Sequence, residues 1–133
     1  MSIIIFYEKP GCVSNGKQKN ILRASGYNLI EKDILNEHWT PEVLRTFFGE
    51  LPIEEWFNQN APAIKNNDIV IDELNEVQAL EMMINDPILI RRPLMRLGDT
   101  HKVGFDLDIL SELIDISEQY RYLEFEYCSQ YIH

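Results

Sequence analysis

Cys12 has the side chain best suited to covalent chemistry in this sequence. It follows the apolar run at residues 3–7 and precedes the polar residues 14–19. The apolar run is typical of a buried strand that ends in the turn-forming residues 9–11, and the polar stretch continues as a helix. A cysteine before a helix lies at the positive end of the helix dipole, which favours the reactive thiolate. The pattern therefore predicts a reactive thiol at Cys12, with an inert cysteine as the alternative.

Cationic side chains occur at two places that could join Cys12. Lys17 and Lys19 lie near the start of the predicted helix, where a positive charge opposes the dipole. A nearby anion would explain them, and so would a solvated helix face. Far downstream, Arg91 and Arg92 precede a proline. One of these arginines could face an anion beside Cys12, with the other paired to a surface acid.

Neutral groups complete the candidate site. Asn15 belongs to the same helix start, and Asn58 and Asn60 could line the cleft as donors or cap helix ends instead. The three histidines have no ligand spacing with either cysteine, so no metal site is expected. Cys128 lies among aromatic residues near the C-terminus, where the role of a small, partly buried apolar residue is favoured over that of a resolving thiol.

The composition limits the class of protein. A length of 133 residues fits one domain, and a net charge of −10 argues against nucleic-acid binding. No apolar run approaches the roughly 18 residues that a membrane span needs. Two cysteines at nearly opposite ends do not make a disulfide framework. Without a secretory leader, a reducing cytoplasm is the expected location.

The elements that position Cys12 follow from the apolar periodicity. Strands are predicted at residues 2–7 and 27–32, with a helix at residues 15–24 between them. Gly26 is suited to the position just after that helix. We expect parallel pairing of the two strands through a right-handed crossover.

A helical insertion is predicted at about residues 40–86. Thr40 and Pro41 begin a helix that ends at Gly49, and residues 52–58 form a short second helix. Asp72 is expected to cap a longer helix that ends at Asp86. The apolar face of that helix is expected to comprise Leu74, Val77, Leu80 and Ile84. The aromatic residues expected to form the core of the insertion are Trp39, Phe47, Phe48, Trp56 and Phe57.

The last part of the chain completes the sheet. A hairpin is predicted from residues 94–97 and 101–103 around Gly98–Asp99, followed by a helix that Asp106 caps. Residues 116–133 are expected to be a helical extension that covers the domain, or else a segment that docks a partner. The pattern predicts an α/β, thioredoxin-like (glutaredoxin-like) fold with a mixed β-sheet, as a single domain over residues 1–133.

The sequence resembles the arsenate reductase/Spx-like (ArsC) family, and within it the group of nitrogenase-associated proteins. The resemblance covers roughly residues 2–114. The stretches that carry it are residues 7–12, 17–19, 39–40, 47–49, 56–58, 61–65 and 87–93. The resemblance implies the thioredoxin-like fold and a cis peptide bond at Pro93, which would place the backbone before it next to Cys12.

The resemblance also implies roles for single residues. In the family's reductases, the cysteine that matches Cys12 attacks arsenate, and an arginine that matches Arg92 helps to hold the oxyanion. At three positions where reductases carry arginine, this chain has Gly16, Asn58 and Gly104. Because a tetrahedral oxyanion needs several cationic donors, arsenate reduction itself is not expected. The Cys-x-x-Cys switch of the Spx-like regulators is also excluded, because Asn15 stands at its second position.

Two functions are consistent with these residues. The first is a thiol oxidoreductase in which Cys12 is the nucleophile, Arg92 and Lys17 stabilise its thiolate, and an external thiol resolves the intermediate. No bound cofactor is expected, with glutathione as a co-substrate and glutathione or glutaredoxin as the redox partner. The second is a non-catalytic regulatory protein that binds nitrogenase or another protein.

Overall fold

The computed structural model of this protein describes residues 3–112, in which four strands form one mixed sheet. The strands are β1 Ile3–Glu8, β2 Asn28–Asp33, β3 Leu94–Leu97 and β4 Thr100–Val103. Their order in the sheet is β2-β1-β3-β4. β1 pairs in parallel with β2 and antiparallel with β3, and β3 pairs antiparallel with β4. The predicted α/β class, mixed sheet and C-terminal hairpin are confirmed.

The helices lie in three parts of the chain. They are α1 Val13–Ala24 between β1 and β2, then α2 Pro41–Arg45, α3 Pro62–Lys65 and α4 Glu76–Asn85 in the insertion, and α5 Leu107–Leu110 after β4. Single 3₁₀ turns occur at Ile53–Trp56, Ile71–Glu73 and Pro87–Leu89. None of the helices described between residues 3 and 112 is long and apolar enough to cross a membrane.

Alternate side chains of β1 supply two separate cores. Ile4 and Phe6 pack on one face of the sheet with residues of α1 and α5, including Leu22 and Leu107. Tyr7 faces the other side and packs with the insertion. Because successive side chains of a strand point to opposite faces, one strand can hold both layers in register. α1, which follows Cys12, is thereby fixed to the sheet by its own apolar face.

The aromatic residues form the core of the insertion, as predicted. Trp56 is fully buried and stacks on Phe48 with ring centroids 4.7 Å apart. Tyr7 contacts Trp39 and Phe47 with ring centroids at 5.0 Å and 5.5 Å. The contacts of Tyr7 with Trp39 and Phe47 join the insertion to the end of β1, just before the Cys12 turn.

The prediction for α4 was wrong at its start. Asn75, and not Asp72, is the N-cap residue, and its side chain and that of Gln78 form a reciprocal capping box. This box satisfies two backbone N–H groups at once, and Asp72 lies in a separate 3₁₀ turn. Val77, predicted to face inward, is 72% exposed, whereas Leu80 is buried as expected.

The starts of α1 and α2 agree more closely with the sequence, whereas α2 ends at Arg45 and not at Gly49, because the chain leaves the helix at Thr46. Thr40 caps α2 with Pro41 in its first turn, and Gly26 has the positive φ of 98° expected after α1. α1 begins at Val13, two residues earlier than predicted, so that Cys12 itself is the N-cap residue. The predicted extension at residues 116–133 and Cys128 lie outside the described residues.

Tyr7 gives the fold a specific alkaline sensitivity. Burial raises the pKa of Tyr7 above its ordinary value, and the nearby Glu37 carboxylate raises it further, against a smaller lowering by Arg96. A raised pKa means that the folded state holds the phenol proton more tightly. Its contribution to stability is therefore complete below about pH 10 and is lost as the pH rises through the folded-state pKa.

We expect the Tyr7→Phe variant to lose less stability than wild type at alkaline pH, because phenylalanine cannot ionise. The measurement is the free energy of unfolding in urea, at neutral pH and above about pH 10. Tyr27→Phe is the matched control, since Tyr27 lies outside this aromatic group. If Tyr7→Phe and wild type lose the same free energy of unfolding at alkaline pH, Tyr7 is not the cause of the alkaline sensitivity.

Candidate functional site

A tight turn delivers Cys12 from β1 to α1. The Cys12 N–H donates to the Lys9 carbonyl over 3.1 Å, with Pro10 and Gly11 between them. Gly11 has φ of 84°, a conformation that glycine adopts without a steric penalty. A type II turn prefers proline at its second position and a glycine with positive φ at its third position, as found here. The turn sets where the chain enters the helix and hence where the sulfur lies.

The Cys12 side chain caps α1. Its Sγ accepts a hydrogen bond from the Asn15 N–H at 3.5 Å, and its carbonyl accepts from the Gly16 N–H at 3.0 Å. The sulfur therefore occupies the place of a capping oxygen, beside the unsatisfied N–H groups of the first turn. These groups carry partial positive charge and stabilise a negative charge on sulfur.

The Cys12 sulfur is bonded in a disulfide. Cys12 is the only cysteine among the described residues 3–112. The residue is nearly buried, with 5% of its surface exposed. Two cysteines at opposite ends of the chain provided no basis for predicting this bond.

Asn15 acts as a clamp beneath the turn. Its side chain is fully buried, its Oδ1 accepts from the Lys9 N–H at 3.1 Å, and its Nδ2 donates to Gln18 Oε1 at 2.8 Å. Both amide atoms are thus used inside the protein. The predicted anion-binding role stays a prediction, and what lies next to Cys12 is the backbone N–H of Asn15.

Gln18 belongs to the site and was missed by sequence reasoning. Its side chain is fully buried, and its Nε2 finds no hydrogen-bond partner within residues 3–112. Ser14, Asn15 and Gln18 share the buried side of α1 with Ile21 and Leu22. Polar residues at positions i and i+3 on an apolar helix face were the signal that could have found it.

The segment with Arg92 and Pro93 enters β3 at the end of the sheet from which the chain leaves β1 toward Cys12. The peptide bond between them is cis, as the resemblance implies. β3 begins at Leu94, which pairs antiparallel with Tyr7 near the end of β1. Arg92 is 5% exposed. A buried cation therefore lies at the same end of the sheet as the turn that holds Cys12.

Arg91 is directed to a different neighbour. Its Nη1 donates to the Glu55 carbonyl at 3.1 Å, and its guanidinium lies against the backbone of Gly104. A Cβ built on Gly104 would be 2.8 Å from Arg91 Nη2, and Gly104 has φ of 82°. An arginine at position 104 would thus need a left-handed backbone and a displaced Arg91. Both requirements disfavour an arginine at position 104.

Asn58 serves the insertion. Its Nδ2 donates to the Ile88 carbonyl at 3.2 Å, and its Oδ1 accepts from the Asn60 N–H at 3.0 Å. Its own N–H donates to the Leu89 carbonyl at 2.8 Å. Of the two roles considered, these bonds favour the structural one, which ties the insertion to the segment before Arg91.

The two lysines of α1 have different surroundings. Lys17 is exposed on the outer side of the helix. Lys19 pairs with the buried Glu8 at 2.8 Å and with Glu31 at 3.3 Å. Burial alone would raise the pKa of Glu31, but hydrogen bonds from Arg23 and Lys19 outweigh it and hold that pKa below its ordinary value. The anion that explains Lys19 is therefore the protein's own carboxylates.

The clamp gives a testable consequence. We expect Asn15→Ala to lower the free energy of unfolding by about 1–3 kcal/mol, because it leaves the buried Lys9 N–H and Gln18 amide without partners. Urea unfolding of the reduced protein measures the loss. The matched control is Asn36→Ala, which removes an exposed amide that bonds Asp33. If both variants lose the same small amount of free energy of unfolding, the Asn15 side chain does not stabilise the turn.

No group of three or more histidine, cysteine, aspartate or glutamate residues that could hold a metal ion occurs in the part of the chain that the structure describes. The site described is thus built from a sulfur, a helix start and a buried arginine.

Comparison with known proteins places this geometry in a family. The model of the ArsC family matches residues 7–113. An uncharacterised 15.7 kDa protein from the draG 3′ region of Rhodospirillum rubrum is 41% identical over 119 residues, which cover 90% of this chain and 83% of the relative. The regulatory protein MgsR of Bacillus subtilis is 30% identical over 118 residues, covering 87% and 91%.

A solved structure shows the same architecture. A protein related to the ArsC family from Bacteroides fragilis superposes with a TM-score of 0.73 at 21% identity, over 85% of this chain and 98% of that one. This likeness identifies the fold as thioredoxin-like. With the family match over most of its length, the chain belongs to the ArsC family.

Proposed function

We propose that this protein is a thiol oxidoreductase that reacts through Cys12, with an external thiol of the glutathione or glutaredoxin class as reductant. The observation that carries the proposal is the place of the Cys12 sulfur as the N-cap group of α1, where the Asn15 N–H donates to it. A helix start stabilises a thiolate, which is the reactive form of cysteine.

The surroundings of Cys12 support this chemistry. The Asn15 N–H reaches the sulfur, and α1 has twelve residues that align their peptide dipoles behind it. Arg92 supplies a buried positive charge on the adjacent segment. Together these groups favour a thiolate over a thiol, and the thiolate is the form that attacks a disulfide.

Arsenate is a poor candidate as substrate. Gly16 has no side chain, the Asn58 amide bonds backbone groups, and Gly104 is covered by Arg91. With Arg92 alone at the matching positions, a doubly charged oxyanion would lack the cationic donors that replace its hydration. The sulfur–sulfur bond of a disulfide substrate carries no such charge, so its attack by Cys12 does not require these arginines.

A regulatory function is the second candidate. The 30% identity to a protein named as a regulator favours it. The resemblance to nitrogenase-associated proteins suggests a nitrogenase-related partner. Retrieval of a nitrogenase-related protein by wild type and by Cys12→Ser alike, with no thiol exchange, would favour this function over the first.

The oxidoreductase function predicts a low thiol pKa at Cys12. After reduction, we expect the pKa of Cys12 to lie below the ordinary cysteine value of about 8.5, because the helix start and Arg92 stabilise the thiolate. Alkylation of a Cys128→Ser variant, followed by mass spectrometry across pH, measures it. We expect reduction of a small disulfide by glutathione to be abolished in Cys12→Ser. An ordinary pKa with unchanged turnover in Cys12→Ser would contradict the function.

Arg92 should matter through its charge. We expect Arg92→Gln to slow the reaction of Cys12 with a small disulfide by roughly tenfold to a hundredfold, since a charged partner contributes about 1.5–3 kcal/mol. The pKa of Cys12 should rise in the same variant, which a purely structural role would not cause. Arg96→Gln is the matched control, because Arg96 lies exposed on β3 and bonds the hairpin at Gly98. Equal rates in both variants would exclude the electrostatic role.

A further inference from the structure

The outer edge of β4 and the groove beside it form a surface that the thiol chemistry does not use. β4 is the last strand in the order β2-β1-β3-β4, so one of its edges has no neighbouring strand within residues 3–112. We propose that this edge binds an extended, basic peptide segment of another protein, which adds as a strand and places an apolar side chain in the groove. Cys12 is not among the residues that line the groove, so binding there does not depend on its thiol.

The pairing of β3 with β4 determines which backbone groups face outward. The Gly104 N–H donates to the Pro93 carbonyl at 2.9 Å, one residue beyond the end of β4. Because hydrogen-bonded pairs alternate along an antiparallel ladder, Lys102 also directs its N–H and C=O toward β3, whereas His101 and Val103 direct theirs outward. No described strand lies there to pair with them. Unpaired groups on a sheet edge are the template to which an extended peptide adds.

A groove of about 330 Å³ lies beside this edge. It is lined by residues 101–103 of β4, by Phe47, Phe48 and Leu51 of the insertion, and by Leu110 of α5. The insertion and α5 belong to the cores on opposite faces of the sheet. A groove that both faces and the last strand line must lie beyond the edge of the sheet, where an added strand would run.

The outward-facing residues of β4 direct their side chains toward the insertion. His101 contacts Phe47 edge-on with ring centroids 4.9 Å apart, and Val103 packs against the same core. Because side chains of neighbouring strands lie side by side on one face of a sheet, residues added beside His101 and Val103 would face the insertion as well. An apolar side chain at such a position would cover Phe47 and Leu51 in the groove.

The charge of the groove selects among occupants. Its lining carries two exposed carboxylates, Glu50 and Asp106, and one lysine, Lys102. The net charge of −10 on the whole chain adds to this field, which attracts a basic segment and opposes a second, equally acidic copy. Residues 113–133 contain four acids and one arginine, so the same field disfavours that segment as the occupant.

The test uses the full chain and a capped synthetic peptide, Lys-Val-Thr-Phe-Thr-Val-Arg, which has apolar residues on one face and a cation at each end. Amide hydrogen exchange followed by NMR reports on the edge. In the free protein, we expect the His101 and Val103 amides to exchange at least about tenfold faster than the Lys102 amide. Added peptide should shift the His101 and Val103 resonances saturably and slow their exchange by roughly tenfold or more.

Matched controls identify the cause of binding. Two N-methylated peptides each block one alternate set of peptide N–H groups, and we expect only the form that blocks the set facing β4 to lose binding. Glu50→Lys should weaken binding by roughly threefold to tenfold, because it reverses a charge at the rim of the groove. Glu81→Lys makes the same change at an exposed position of α4 and should leave the affinity nearly unchanged.

Four results would overturn the inference. Slow exchange of the His101 and Val103 amides in the free protein at every concentration would show that this chain covers its own edge. Slow exchange that develops as the protein concentration rises would show that a second copy does so. The absence of a saturable shift up to about 1 mM peptide would exclude a specific site. Equal binding by both N-methylated peptides would show that the backbone does not pair.

Discussion

The placement of Cys12 depends on one buried amide, that of Asn15. An N–H and a carbonyl-type acceptor cannot be left unpaired inside a protein without a cost of about 1–3 kcal/mol, and Asn15 satisfies groups on both sides of the turn at once. It bonds Lys9 before the turn and Gln18 within α1. An apolar side chain could bond neither group. A short side chain that both accepts and donates therefore suits this position.

A second constraint anchors the segment across from this turn. The chain before Arg91 is held to the insertion by the bridge of Phe57 with Ile90, and by the bond of the Arg91 N–H to the Trp56 carbonyl. After Pro93, the chain is held to β1 by the pairing of Leu94 with Tyr7. Arg92 thus lies between two fixed ends. The helical insertion positions the arginine by this route.

Much of the architecture could be predicted because local signals and packing agree. The apolar run of β1, the turn residues Pro10 and Gly11, and the Thr40–Pro41 helix start each have one favourable conformation, and the structure adopts it. The start of α4 was misplaced because Asp72 and Asn75 are both good capping residues. Only Asn75 has a glutamine three residues later to complete the capping box.

The residues of the candidate site could be named from the sequence, but most of their contacts could not. Cys12 follows β1 and Pro93 precedes β3, and the pairing of these two strands brings both segments to one end of the sheet. The role of Asn15 and the burial of Gln18 depend on where the α1 face meets the sheet, which periodicity resolves only to within a residue or two.

The glycine at position 104 has a consequence for how this chain can change. Arg91 occupies the space above Gly104, and the backbone there is left-handed. A single substitution to arginine at 104 would meet both obstacles together. An arginine there would need the flexible end of Arg91 to move aside and would have to adopt a backbone conformation that side chains rarely take. Any side chain added at position 104 therefore carries a cost in backbone strain.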